Sequence, residues 1–180
     1  MLCHIRYQSP LGGLTIAADE DGIAGIWFDR QKYFASGIDH LGSEEDSHPH
    51  LALCREWLDR YFAGSRPDAD ELVLSPRGTS VVQAVWQTLK RIPYGQTASC
   101  GDMRAATREL IKAEKLMTKQ AFNSAMQRNP FAIVVPTHRV VGSSGNLKGY
   151  PAGVEKKIWL MRHEGIDPRK SDRLSHYEVA

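Results

Sequence analysis

Three short strand-like runs separated by two tight turns fill the first 28 residues, and they leave the chain few ways to begin folding. Cys3 to Gln8, Leu14 to Ala18 and Ile23 to Phe28 carry β-branched and aromatic side chains, which suit a pleated, half-buried surface. Ser9-Pro10-Leu11-Gly12-Gly13 forces a bend between the first two runs. Asp19-Glu20-Asp21-Gly22 supplies the second turn, where Gly22 can take a positive φ. Connections this short join antiparallel neighbours. The spacing therefore predicts an antiparallel meander.

The rest of the chain changes period. Asp39 to His50 is polar and reads as an exposed loop. Leu51 to Phe62 places apolar residues along one helical face, with Gly64 just past its end. Ser65 to Arg77, with two prolines and several acids, reads as a linker. Thr79 is the expected N-cap of a second helix whose buried stripe is Val81, Val82, Val85, Trp86 and Leu89. Ile92-Pro93-Tyr94-Gly95-Gln96 ends that stretch. Ser99 then caps a charged helix over about residues 100–116, and Thr118 caps another running to about Arg128, stopped by Asn129-Pro130. A buried strand is expected at Ala132 to Val135, a glycine-rich loop from Gly142 to Gly153, and a last helix through Val154, Ile158, Trp159, Leu160 and Met161. The predicted class is α/β of the α+β kind. A β-rich module spans 1–75, a helical domain with a helix-turn-helix 76–167, and a charged tail 168–180.

Composition narrows the function classes. Hydrophobic residues at 42% and charged ones at 24% of 180 residues are ordinary globular values, which excludes disordered and fibrous chains. Lys+Arg 23 against Asp+Glu 21 gives only +2, so any nucleic-acid face has to be local. Cys3, Cys54 and Cys100 are three thiols without framework spacing, and the start has no apolar signal core. Both point to a cytoplasmic protein. His48, His50 and Cys54 match no zinc spacing, so neither a metal nor a cofactor is predicted.

One stretch points further. Ile92-Pro93-Tyr94-Gly95-Gln96-Thr97, Asn129-Pro130, Ile133 through Pro136-Thr137-His138-Arg139-Val140-Val141-Gly142, Gly149-Tyr150 and Trp159-Leu160 to His163-Glu164-Gly165 follow one another in a distinctive order. In this the chain resembles the O6-alkylguanine-DNA alkyltransferases. Ser9-Pro10-Leu11-Gly12, Trp27-Phe28 and Gln31-Lys32-Tyr33-Phe34 resemble the bacterial two-domain form. The resemblance implies a ribonuclease H-like N-terminal domain and a helix-turn-helix that enters the minor groove. It also implies a damaged guanine flipped into a pocket, where a cysteine in Pro-Cys-His-Arg accepts the alkyl group irreversibly. By the same matching, His138 is the histidine that activates the thiol through water, Glu164 its carboxylate partner and Asn129 the supporting asparagine. Tyr150 is the tyrosine that hydrogen-bonds the flipped base and Arg139 a structural arginine, with Val140 and Met126 in the pocket wall.

The departures are as informative as the matches. Thr137 stands where the resemblance implies the acceptor cysteine. A threonine hydroxyl is a far weaker acid than a thiol, and its β-methyl crowds in-line approach to carbon, so stoichiometric repair is not expected. Gln120 aligns with the arginine that fills the vacated stack, and Cys100 with the tyrosine that presses on the target phosphate. Ala121-Phe122-Asn123-Ser124 replaces a face of small residues, and the stretch from Cys100 to Ala125 is several residues longer than the family pattern. A thiol at Cys100 has no evident base beside it and reads as a passive small residue. Phosphate contacts could come from Arg104, Arg108, Lys112, Lys115, Lys119 and Arg128, with Asn123 and Ser124 on the same helix pair. The alternative is that the charged helix is simply a solvated face. Two functions stay open. One is a non-repairing protein that recognises alkylated guanine in double-stranded DNA, as alkyltransferase-like proteins do. The other is a pocket of His138, Tyr150 and Glu164 repurposed for a small molecule.

Overall fold

The computed structural model describes residues 1–112, 117–142 and 145–169, which divide into two compact units, Met1–Arg77 with Pro130–Ala132, and Gly78–Asn129 with Ile133 onward. In the first unit the three runs form β1 (Cys3–Ser9), β2 (Gly12–Asp19) and β3 (Gly22–Phe28), paired antiparallel. The polar loop adds an element that its composition hid. β4 (Ser43–Glu44) lies parallel to the start of β1, giving the sheet order β3-β2-β1-β4. Gly42, at φ +74, makes this approach feasible, because a Cβ there would strike the Leu2 carbonyl.

Helix α1 (Pro49–Phe62) covers one face of the sheet with Leu51, Cys54, Trp57, Leu58 and Tyr61. On another surface Ala17, Ala24 and Trp27 cluster with Leu2, Ala35, Ile38 and Leu41. Residues on alternate faces of β3 are thus both shielded, and every residue of that strand is buried rather than every second one. The stretch after α1 is packed instead of free. Asp68 caps a 3-10 turn at Ala69–Glu71, the Trp57 indole donates to the Asp68 carbonyl at 2.8 Å, and Ile23 exchanges backbone hydrogen bonds with Val73 and Ser75. Pro130 and Ala132 bond the backbone of Ile26 in the same unit.

The second unit contains α2 (Ser80–Lys90), β5 (Ala98–Ser99), α3 (Cys100–Ile111), α4 (Lys119–Gln127), β6 (Val140–Val141) and α5 (Val154–His163). Thr79, Ser99 and Thr118 cap α2, α3 and α4 with their hydroxyls, as the sequence predicted. α2 packs against α3 and α4, and the Trp86 indole donates to the Ala125 carbonyl at 2.9 Å. α3 stops earlier than expected, because Lys112 takes a left-handed conformation at φ 52 and ends the hydrogen-bonded ladder. The expected continuation through 113–116, Lys115 included, lies outside the described residues, as does the tail from 170. Val141, Leu147, Met161 and Ile166 form a core beneath α5, with Val154 and Ile158 packed on it.

The strand expected at Ala132 to Val135 is instead a series of buried turns. Ile133 sits at φ +71, a conformation that a β-branched residue in a strand cannot hold. An unbroken apolar run carries no period, so burial was legible there and conformation was not. Pairing in this region falls one turn later, where β6 runs parallel to β5.

Candidate functional site

The site of the second unit is built around one carboxylate. Glu164 follows α5, and its side chain is wholly buried. Its Oε1 meets His138 Nε2 at 2.7 Å and an Arg139 terminal nitrogen at 2.9 Å, while its Oε2 accepts from Arg139 Nε at 2.8 Å. The backbone N–H of Gly95 donates to Oε2 at 3.2 Å, so the Tyr94-Gly95 turn is fastened to the same group. Arg139 also donates to the Ile92 carbonyl at 2.6 Å and lies over the Tyr94 ring at 5.6 Å. This fork of two parallel N–H bonds is the geometry in which arginine holds a carboxylate most firmly.

Burial alone would raise the Glu164 pKa, but hydrogen bonds from His138 and Arg139 hold it well below the usual carboxylate range. For His138 burial wins in the other direction and pushes the imidazole below its ordinary value, against the pull of Glu164. A neutral imidazole beside a carboxylate carries its proton on Nε2 and donates it to Glu164. Nδ1 then holds the lone pair. That atom is buried and has no hydrogen-bond partner among the described residues, so it is a base facing away from its own counterion.

Thr137 opens the 3-10 turn Thr137–Arg139, which carries His138 and Arg139 into this network. Asn129 braces the preceding turn, its Nδ2 donating to the Val135 carbonyl at 2.9 Å. Thr137 also lines a cavity of about 360 Å³ together with Tyr150, Val140 and Met126, large enough for a small organic ligand. Cys100, Asn123 and Lys119 line it too, and the Cys100 thiol donates to Asn123 Oδ1 at 3.3 Å. Burial raises the Cys100 thiol, opposed by the positive charges of Arg104, Lys119 and Lys157. Burial, with the Glu164 charge, pushes the Tyr150 hydroxyl upward, keeping it a neutral donor.

Other predicted residues lie elsewhere. His138, Arg139 and Glu164 are not in the cavity wall. Gln120, Ser124 and Arg128 are exposed at four-residue spacing along and just past α4, with no acidic residue in that helix. Arg108 is half-buried and bonds the Met117 carbonyl at 3.3 Å. Cys54 is buried within the first unit and pushed up to about 12 by that burial, while the His48 and His50 rings lie 5.7 Å apart.

The sequence reading missed Lys157. It sits in α5 at 5% exposure, its Nζ donating to the Val140 carbonyl at 2.5 Å, and it forms part of the cavity wall. Burial lowers its pKa to about 8. The available signal was its phase. Val154, Lys157 and Met161 fall on one face of α5, so a lysine occupies a position where the helix pattern calls for an apolar side chain.

Two family models match the chain. One is described as the 6-O-methylguanine DNA methyltransferase ribonuclease-like domain, over residues 2–76, and the other as the DNA-binding domain of the same name, over residues 80–166. A methylated-DNA–protein-cysteine methyltransferase of Methanosarcina acetivorans is 35% identical over 159 residues, covering 88% of this chain and 96% of its own. One of Shigella flexneri is 40% identical over 169 residues, covering 89% and 94%. Among solved structures, Mycobacterium tuberculosis OGT in complex with DNA superposes with a TM-score of 0.71 at 30% identity, covering 94% of this chain and 98% of that one. Among the described residues, no helix is long and apolar enough to cross a membrane.

Proposed function

Because the chain belongs to the 6-O-methylguanine DNA methyltransferase family, we propose that it binds double-stranded DNA and recognises guanine alkylated at O6 without taking the alkyl group onto itself. The observation that carries this reading is Thr137. It lines the cavity at the place where the resemblance puts the acceptor thiol, next to a neutral histidine with a free Nδ1 lone pair. A neutral imidazole can help a thiol to its thiolate, a strong nucleophile toward an alkyl carbon, whereas a threonine hydroxyl beside it stays protonated and displaces an alkyl group poorly. The β-methyl of Thr137 further crowds the line of attack on an alkyl carbon. Recognition needs no such nucleophile. Tyr150 offers a neutral hydroxyl to a flipped base, and the cavity can admit a base that leaves the stack.

DNA contact is assigned to α3 and α4 acting as a helix-turn-helix. The exposed, acid-free row of Gln120, Ser124 and Arg128, with Lys119 beside it, supports this. Gln120 is shorter than an arginine and uncharged, so it fills a vacated stack less well, and modest lesion affinity follows.

The test is a titration at controlled salt with matched duplexes, one carrying O6-methylguanine and one plain guanine, followed by intact-protein mass measurement. Tighter binding of the lesion with unchanged protein mass is expected. A stable gain of one methyl refutes the loss of transfer. Equal binding that fades steeply with salt would mean phosphate attraction alone, and the cavity would then belong to a small molecule.

A further inference from the structure

Four cations line the cavity, Arg104, Lys119, Lys148 and Lys157, and none of its lining residues is a carboxylate. They differ in what can reach them. Lys119 and Lys148 are exposed and Arg104 is half-buried, so water can solvate them and duplex phosphates can neutralise them. Lys157 is buried, and its Nζ has one partner among the described residues, the Val140 carbonyl. An ammonium has three donors, so two remain. The ionisable groups that bear on it or feel its charge are the Cys100 thiol and the His138 imidazole, neither of them an anion at neutral pH. Glu164 does not serve as its counterion, because both carboxylate oxygens are engaged by His138, Arg139 and Gly95.

A buried, unpaired cation is costly unless something brings the opposite charge to it. Among the described residues no carboxylate bears on it, so the cavity is the route by which that charge can arrive. We propose that the cavity is built for an O6 substituent that is itself anionic, a carboxymethyl or related carboxyalkyl group on guanine, whose carboxylate pairs with the Lys157 ammonium. The proposal rests on the reading of the cavity as an O6-alkylguanine site and narrows its substrate class. A methyl group fills part of the space and leaves Lys157 unpaired. A carboxylate completes the ammonium's hydrogen bonds in a dehydrated setting, where charge-assisted bonds are strongest. The ordinary pH range suits this, since the lysine is still largely protonated at neutral pH and an incoming carboxylate holds it so.

The experiment uses the full chain and four otherwise identical duplexes, carrying guanine, O6-methylguanine, O6-carboxymethylguanine and its neutral isostere O6-carbamoylmethylguanine. The carboxymethyl duplex is expected to bind about tenfold or more tightly than the carbamoylmethyl one. Lys157→Met should erase that margin, with its circular dichroism spectrum and Tm reporting whether the fold is intact. Lys157→Arg should retain part of the margin. If both carboxymethyl and carbamoylmethyl duplexes bind equally, yet each beats guanine, the charge pairing is wrong and the alkylguanine reading survives. A full margin persisting in Lys157→Met also overturns the pairing. If no adduct beats guanine, the alkylguanine reading falls and the proposal falls with it. The wild-type comparison decides the matter even where the methionine variant fails to fold.

Discussion

Replacing Glu164 by glutamine removes one charge and little volume from the centre of the second unit. The consequences follow from what surrounds it. Arg139, whose side chain is 11% exposed, would lose one half of its fork and its counter-charge, and His138, wholly buried, would keep an acceptor for its Nε2 proton only if the single remaining oxygen faces it. A glutamine presents one acceptor oxygen and one donor nitrogen, so its amide must turn its NH₂ toward a guanidinium or an imidazole N–H. Removing one partner of a buried ion pair costs about 3–5 kcal/mol, mostly because the other charge stays buried. In a protein of this size each kcal/mol lowers Tm by about 2–4 °C, so a loss of roughly 6–20 °C is expected.

The pH dependence sharpens the expectation. Glu164 has a folded-state pKa held below its ordinary value of 4.5. Its stabilising contribution is therefore complete above that value and is lost as pH falls toward the folded pKa. Scanning calorimetry of wild type and Glu164→Gln should show a constant gap in Tm at neutral pH that narrows from about pH 5 to about pH 3. Combining Glu164→Gln with Arg139→Met should cost less than the sum of the single changes, by about 1–3 kcal/mol. A gap below about 2 °C at neutral pH, or one that does not narrow in acid, would refute the argument that this carboxylate organises the site.

Thr137→Cys is expected to restore little repair, since Gln120 and Cys100 still handicap flipping. Intact mass after incubation with an O6-methylguanine duplex checks this, and rapid single-methyl transfer by the variant would show the DNA face to be fully working. Iodoacetamide should modify Cys100 ahead of Cys3 and Cys54, because Cys100 lines the cavity while the others are 3% and 0% exposed. Peptide mass mapping that found Cys54 modified first would contradict its burial and its pKa of about 12. Thr118→Ala removes the hydroxyl that accepts from the Ala121 N–H at 3.0 Å and should cost about 1 kcal/mol, read as a fall of a few degrees in Tm. No measurable change would mean that α4 does not depend on its cap.

Sequence alone determined much of this protein because much of it is local. Three strands, their turns and the caps of α2, α3 and α4 follow from side chains acting on backbone within a few residues. The ordered motif from Pro93 to Gly165 was legible for the same reason, since each piece is a short run of contiguous residues. What tertiary structure alone decided are the things that need distant residues to meet. β4 pairs beside β1 because Gly42 permits a close approach that no polar-loop composition announces. Residues 132–135 turn rather than extend, with Ile133 at positive φ and the Val135 carbonyl held by Asn129 and Thr137, and a uniformly apolar run has no period to say so. The carboxylate network joins Gly95, His138, Arg139 and Glu164 across 69 residues of chain. Lys157 is the sharpest case. A lysine in sequence is a solvated charge by default, and only the packing of α5 against β6 and the cavity leaves its ammonium buried with no carboxylate bearing on it among the described residues.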